Sequence, residues 1–289
     1  MELFQIPAHV LVSPTVVPEY CSVVLGMPIV PSYLPSRNRL FGSGLFTSFT
    51  EEMTYYQRAA NLFVTFLSMK WTEWIFTKQQ VLFRRLYGEQ FIDLNEKFAQ
   101  ATYVLTNADP FFDFPKPTIH KVKELGGAAV PKAEPLNEHW SAIMSQRKKA
   151  VLVSFGSVVA SYVMPNETKQ AFLKAFDRFP DVTFIWKYEK EEHHIADGHP
   201  NLITDKWLPQ TDLLAHPNLV AFLTHGGMNS ITETLNRGKP VIVVPVFGDQ
   251  LRNAVLAKRA GFGIMLPVSD LQDEKKLSDA FEQIINNKK

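Results

Sequence analysis

The sequence predicts an α/β protein built of doubly wound parallel sheets in two domains, the first of them incomplete. Three observations carry this. In the second half of the chain, short runs that are apolar throughout alternate with segments of helical spacing, and strands buried on both faces belong to a parallel sheet covered by helices. The first half shows fewer such units and opens directly into a strand pattern. With 46% hydrophobic and 20% charged residues over 289 positions, the chain is globular rather than disordered.

The first half is read as follows. Residues 8–15 (AHVLVSPT) and 27–33 (MPIVPSY) form strand patterns, with a short helix in PEYCSVVLG between them. Residues 51–91 read as two helices. Met53, Tyr56, Ala60, Phe63, Val64 and Leu67 make one apolar stripe, and Trp71, Trp74, Ile75, Leu82 and Leu86 another. Packing of these stripes into a core is favoured over a membrane-surface role. A strand follows at 101–107, and the proline-rich stretch 109–135 reads as a connection. βαβ sheets seldom begin in mid-sheet, so this half is expected to be truncated.

The second half begins with a strand at 150–157 (AVLVSFGS), then a helix whose Phe172, Leu173, Phe176 and Phe179 share one face. Strands follow at 182–188, 201–207, 219–225 and 240–246. A helix after Ser230 ends at Gly238, another ends at Gly261, and a last strand and helix close the pattern. The expected division is 1–128, a linker at 129–148, and a second domain at 149–289.

Composition excludes several classes. A formal net charge of +1 offers no basic face for nucleic acid. The single cysteine, Cys21, excludes an internal disulfide and any multi-cysteine metal site. The N-terminal MELFQIPAHVLVSP lacks the parts of a signal peptide, and no apolar run reaches transmembrane length. One N-glycosylation sequon stands at Asn166, in what also reads as a helix start.

The segment with the most chemistry is LVAFLTHGGMNSITETLNRGKPVIVVP. An apolar strand ends in His225, Gly226 and Gly227 just where a helix begins. A helix N-terminus presents unpaired N–H groups and about half a positive charge, and so favours phosphate. Glycines let the backbone approach the anion. His225, Asn229 and Ser230 would add donors. The plainer alternative is a tight strand–helix turn capped by Asn229 or Ser230. The P-loop Lys-Ser/Thr pair is missing, as is GxGxxG.

The whole block from Trp207 to Gln250, WLPQTDLLAHPNLVAFLTHGGMNSITETLNRGKPVIVVPVFGDQ, closely resembles the signature of the UDP-glycosyltransferases. VLVSFGSVV and VVPEYCSVVLGMPIVPSYLPS resemble other parts of the same family, in the style of its animal, membrane-anchored branch, including nematode members. The resemblance implies a GT-B-like fold of two Rossmann-like domains, a partial acceptor domain followed by a UDP-sugar donor domain. It implies inverting, metal-independent transfer of glucuronic acid or glucose from the UDP-sugar to a hydroxyl of a small lipophilic acceptor. No cofactor or metal is expected, and no Asp-x-Asp occurs. The cluster KEEHHIADGH reads as a solvated loop rather than a metal site.

Residue by residue, the resemblance has Trp207 stack on uracil and Gln210 bond uracil or ribose. Glu233 would accept from the ribose hydroxyls. His225, Gly227, Asn229 and Ser230 would hold the diphosphate, with Ser157 opposite. Asp249 and Gln250 would bond the sugar hydroxyls. Each has a plainer alternative: Trp207 as core, Glu233 favouring the helix dipole, Asp249 capping the next helix. The family's general-base histidine and its aspartate have no counterpart. His9 sits in a strand pattern, and the first aspartate of the chain is Asp93. The chain is therefore expected to be truncated at both ends. The second reading is a non-catalytic UDP-sugar-binding fragment, or a partner of full-length relatives. The family implies the lumenal side of the endoplasmic reticulum membrane, and a homo- or hetero-oligomer is open.

Overall fold

The computed structural model describes residues 8–36 and 49–286. Residues 1–7, part of the stretch read as lacking a signal peptide, and residues 287–289 lie outside them. The chain divides into two compact units, Met1–Ala129 and Val130–Lys289.

The first unit holds a three-stranded parallel sheet. Strand β1 (Val10–Ser13) leads into helix α1 (Glu19–Val24), the long helix α2 (Tyr55–Tyr87) and the short α3 (Leu94–Ala99). Strands β2 (Tyr103–Thr106) and β3 (Val122–Glu124) complete the order β1-β2-β3. Leu25, Met27, Ala101, Val104 and Val122 form its small core.

Several expectations are corrected here. Residues 27–33 are not a strand. Pro28 and Pro31 remove backbone donors, and the buried Asn61 side chain binds the segment as a turn. Its Nδ2 donates to the carbonyls of Pro31 (2.7 Å) and Leu34 (2.9 Å), and its Oδ1 accepts from the Ser36 N–H at 2.8 Å. Residues 51–91 give one 33-residue helix, not two. No glycine or proline interrupts it. Thr54 and Gln57 form a reciprocal cap at its start, and Gly88, at φ 98°, ends it.

The two apolar stripes enter the core only in part: Met53 and Val64 are buried, but most of the large side chains are not. Tyr56, Phe63, Trp71, Trp74, Leu82 and Leu86 are all at least half exposed, whereas the side turned inward carries Asn61, Val64, Thr65, Ser68 and Gln80. That side is held by hydrogen bonds as much as by packing. Gln80 donates to the Ile92 carbonyl at 3.2 Å and accepts from the Leu94 N–H at 2.7 Å. The proline-rich stretch hides β3, too short and too polar to be read as a strand.

The second unit opens with helix α4 (Glu138–Ser145), inside the stretch read as a linker, where it buries Trp140, Ile143 and Met144. Then follow β4 (Lys149–Ser154), α5 (Asn166–Asp177), β5 (Val182–Lys187), β6 (Leu202–Asp205), α6 (Gln210–Ala215), β7 (Leu219–Thr224), α7 (Met228–Arg237), β8 (Val241–Val243), α8 (Gln250–Arg259), β9 (Gly263–Met265) and α9 (Glu274–Asn286). All neighbouring strands are parallel, in the order β6-β5-β4-β7-β8-β9. The chain winds outward from β4 in both directions. This places the topological switch point between β4 and β7, where open α/β sheets bind ligands at the strands' carboxyl ends.

The core of this unit is aromatic. Phe176 stacks on Phe184 at 4.3 Å, Phe172 on Trp186 at 5.4 Å, and Phe281 of α9 meets Phe184 edge-on at 5.2 Å. Burying each such ring contributes about 1.5–3 kcal/mol. These contacts pack α5 and α9 onto β5, which pairs in register with β4. Asn166 is exposed as the first residue of α5, while Thr168 of the same sequon is buried. Among the described residues, no helix is long and apolar enough to cross a membrane.

Candidate functional site

The site forms at the switch point. Strand β4 ends in Phe155-Gly156-Ser157 and β7 ends in His225-Gly226-Gly227. Gly156 has φ 82° and Gly226 φ 85°, so both turns use the left-handed region that favours glycine. A Cβ on Gly226 would collide with the Val243 side chain.

The His225 ring lies close against two glycines. A Cβ on Gly156 would stand 2.6 Å from Cε1, and one on Gly227 would stand 2.7 Å from Nε2. A side chain at either place would force the ring to shift. The Nδ1 atom is buried without a hydrogen-bond partner. Burial pushes the imidazole below its ordinary value, and the charge of Asp249 opposes this.

Helix α7 starts at Met228. Its cap position is Gly227, and no side chain caps it. This corrects the alternative of a turn capped by Asn229 or Ser230. Ser230 instead accepts from Gln210 Nε2 at 3.3 Å. The cap residue, a glycine, brings no side chain of its own, and the backbone N–H groups of the first turn carry the partial positive charge of the helix N-terminus.

A cleft of about 440 Å³ opens beside these turns. On its walls are Gly156, Ser157, Lys187, Trp207, Gln210, Thr211, Asn229, Ser230 and Glu233. Its size suits a small ligand. Trp207 is 69% exposed, which overturns the alternative that it is a core residue. Its N–H donates to Asp205 Oδ1 at 3.1 Å, fixing the turn that carries it. Glu233 is already positioned: its Oε2 accepts from Gln210 Nε2 (3.0 Å) and Thr211 Oγ1 (3.3 Å). The carboxylate thus does more than complement the helix dipole.

A family model described as UDP-glucoronosyl and UDP-glucosyl transferase matches residues 1–289. The chain belongs to this family. The transferase UDP-glucosyltransferase 2 of Dactylopius coccus is 30% identical over 267 residues, 91% of this chain and 49% of its own. The protein ugt-56 of the nematode Caenorhabditis elegans is 33% identical over 258 residues, 88% of this chain and 49% of its own. UDP-glucuronosyltransferase 1A5 of Rattus norvegicus is 31% identical over 264 residues, covering 90% and 47%. The chain spans about half the length of these curated relatives. Among solved structures, the glycotransferase of kitacinnamycin has TM-score 0.54 at 18% identity, covering 74% of this chain and 54% of that one. Os79 from O. sativa in complex with UDP has TM-score 0.52 at 18% identity, covering 67% and 49%. These two likenesses show a shared glycosyltransferase fold.

Of the residues singled out by the UDP-glycosyltransferase resemblance, Ser157, Trp207, Gln210, Asn229, Ser230 and Glu233 line one cleft, and the His225 ring lies against Gly156, which also lines it, and against Gly227. Asp249 and Gln250 are not on its walls. Asp249 stands at the cap position of α8 without capping it by its side chain, and its Oδ2 accepts from Asn253 Nδ2 at 3.0 Å. Gln250 is buried, and its Oε1 accepts the N–H groups of Val246 (2.8 Å) and Phe247 (2.9 Å). In this structure it holds the loop between β8 and α8. Lys187, Thr211 and Gly156 escaped the sequence reading. Lys187 ends β5, and a charged residue at the carboxyl end of an apolar strand was the available signal.

The histidines near residue 193 have separate partners. His193 Nδ1 bonds the Tyr188 hydroxyl at 2.8 Å, and His199 pairs with Asp177 at 2.7 Å. Among the described residues, no group of three or more His, Cys, Asp or Glu could hold a metal. In the first unit, the His9 ring bonds the Lys97 carbonyl at 3.0 Å, and Asp93 caps α3 through the N–H groups of Asn95 and Glu96.

Proposed function

We propose that this chain binds a UDP-sugar and serves hexosyl transfer from it, glucuronic acid or glucose, to a hydroxyl of a small lipophilic acceptor. One observation carries this reading: a histidine wedged between two glycines at the switch point, beside a helix N-terminus that no side chain caps. Such a corner suits a diphosphate. Trp207 offers an exposed aromatic face for the base, and Glu233 a preset carboxylate for ribose hydroxyls.

The transfer is a direct displacement at the anomeric carbon with inversion. The acceptor oxygen forms the new bond as the bond to the β-phosphate oxygen breaks, and the acceptor's proton goes to a base. Negative charge then grows on UDP. The dipole of α7 and His225 stabilise that charge in place of a metal, and no cofactor is required. Asp249 and Gln250 are the groups proposed for the sugar; both lie off the walls of the cleft, and Gln250 would reach a sugar only through its amide N–H groups, because its Oε1 holds the loop after β8. Residues 1–128 supply part of the acceptor domain and 149–289 the donor domain.

A second reading has specific support. His9 Nε2 is engaged with the Lys97 carbonyl and Asp93 with the cap of α3, so the two are not joined as a base and its orienting carboxylate. A base contributes about 10²–10⁴-fold to rate. The chain by itself would then be a donor-binding half, or a partner of full-length relatives in a homo- or hetero-oligomer. Placement on the lumenal side of the endoplasmic reticulum membrane rests on the family resemblance, and the exposed Asn166 is compatible with a glycosylating lumen.

The test is calorimetric titration of the purified chain with UDP, beside His225→Ala, followed by product analysis with UDP-glucose and UDP-glucuronic acid. Binding that weakens in the variant is expected. A folded chain that ignores UDP would overturn the reading. Binding without product would select the donor-binding half.

A further inference from the structure

Asn253 is fully buried in α8, one turn after Asp249. Its Nδ2 donates twice, to the Gly226 carbonyl at 2.9 Å and to Asp249 Oδ2 at 3.0 Å. Gly226 belongs to the turn after β7, 27 residues earlier in the chain. Both partners are acceptors, so only the amide nitrogen can face them. Oδ1 is left buried and unpaired. The turn also packs closely on this helix: a Cβ on Gly226 would stand 3.4 Å from the Gln250 carbonyl oxygen.

Asp249 is at the cap position of α8, where an aspartate ordinarily turns its carboxylate onto the N–H groups of the first turn. It does not do so here. Asn253 holds Oδ2 one turn further along, and Oδ1 is left for another donor. The carboxylate lies close enough to the β7 turn for its charge to act on the His225 ring. Giving up the cap and burying a half-satisfied amide both work against stability. The arrangement is explained by what it orients.

We infer that Asn253 is a positioning residue for the donor sugar, tying the Asp249 carboxylate to the turn that holds the diphosphate so that the two are set as one unit. The inference rests on the UDP-sugar reading of this site. The anomeric carbon is joined directly to the diphosphate, so the spacing between phosphate and sugar contacts decides whether the sugar is held for attack. Asparagine suits this duty. Aspartate could not donate and would oppose Asp249 with a like charge, and serine has one donor hydrogen for two acceptors.

The experiment titrates the chain with UDP, UDP-glucose and UDP-glucuronic acid, and takes the ratio of UDP-sugar affinity to UDP affinity. That ratio cancels whatever Asn253 does for the diphosphate turn alone. Asn253→Ala should lower it about ten-fold, the scale of a hydrogen bond to a charged group. Asp249→Ala should lower it likewise, and the double variant should lower it no further than Asp249→Ala does. If Asn253→Ala does not fold, Asn253→Ser takes its place, because one hydroxyl proton cannot satisfy both acceptors and the ratio should fall in the same way. Equal losses for UDP and UDP-sugar would mean that Asn253 only braces the turn, and would overturn the inference. So would a further fall in the double variant, an unchanged ratio in Asp249→Ala, or a wild type that binds UDP but neither UDP-sugar. A folded wild-type chain that binds none of the three would overturn the UDP-site reading itself, which separates the two failures.

Discussion

The His225 imidazole occupies the space that a side chain on Gly156 would fill, with 2.6 Å between Cε1 and the place of that absent Cβ. The end of β4 and the end of β7 are therefore matched to each other. Gly156→Ala would push the ring aside and also force alanine to a φ of 82°. The expected cost is about 1–3 kcal/mol of stability, with a marked loss of UDP affinity. Thermal melting and calorimetry check both. Unchanged affinity would mean that the ring position does not matter to the ligand.

His225 also predicts a pH dependence. Its folded value is depressed by burial, so the unfolded chain takes up a proton at a higher pH than the folded one. Its contribution to stability is fully present above about pH 6.5, the ordinary histidine value. It is lost as the pH falls from there through the folded value. A bound diphosphate favours the charged ring, so UDP binding near pH 6 should take up more protons in wild type than in His225→Ala. Titration heats in two buffers of different ionisation enthalpy measure this. Equal uptake would refute it.

Trp207 separates binding from folding. Because the ring is largely exposed, Trp207→Ala should change stability by less than about 0.5 kcal/mol. Loss of a stacked base should still weaken UDP binding roughly 5- to 100-fold. A variant that melts early but binds normally would contradict both halves of this expectation.

Gln250 is expected to reveal a structural duty. Gln250→Ala leaves the N–H groups of Val246 and Phe247 without their acceptor, at about 1–3 kcal/mol for a buried group left unpaired. The melting temperature should fall by several degrees. If it does not, and only UDP-sugar affinity falls, then contact with the sugar is its whole role.

Helix α2 inverts the usual pattern, and substitutions should show it. Phe66→Gln on the exposed face should fall within about 0.5 kcal/mol of wild type. Asn61→Ala removes three hydrogen bonds from a fully buried position and should cost about 3 kcal/mol or more. Denaturant melts of the two variants decide it, and the reverse order would mean that the aromatic face is the packed one.

Much of the second unit was legible in the sequence. Its strands are apolar on both sides because helices cover both sides, so VTFIWK and LVAFLT could be read as buried strands without any partner in view. Helices α7 and α8 announced their ends through Gly238 and Gly261. The short helices α3, α4 and α6 were missed because a turn or two of helix leaves no period to detect. In the first unit periodicity misled. The apolar side of α2 has the right spacing for a core but faces outward, while Asn61 and Gln80, which look like surface residues, are held inside by backbone partners far away in the chain.

What the sequence alone determined is chemical and local. A parallel α/β unit, the strand–turn–helix around His225, and the density of the Trp207–Gln250 block are all written in near neighbours, since periodicity, glycine placement and helix polarity act over a few residues. What only the tertiary structure decided depends on distant parts meeting. The wedging of His225 against Gly156 joins two turns 69 residues apart in the chain. The presence of Lys187 in the cleft, the turning of Gln250 into the loop after β8, and the outward face of α2 are likewise set by strand order and by which backbone groups need partners. Those demands arise only once the sheet has formed.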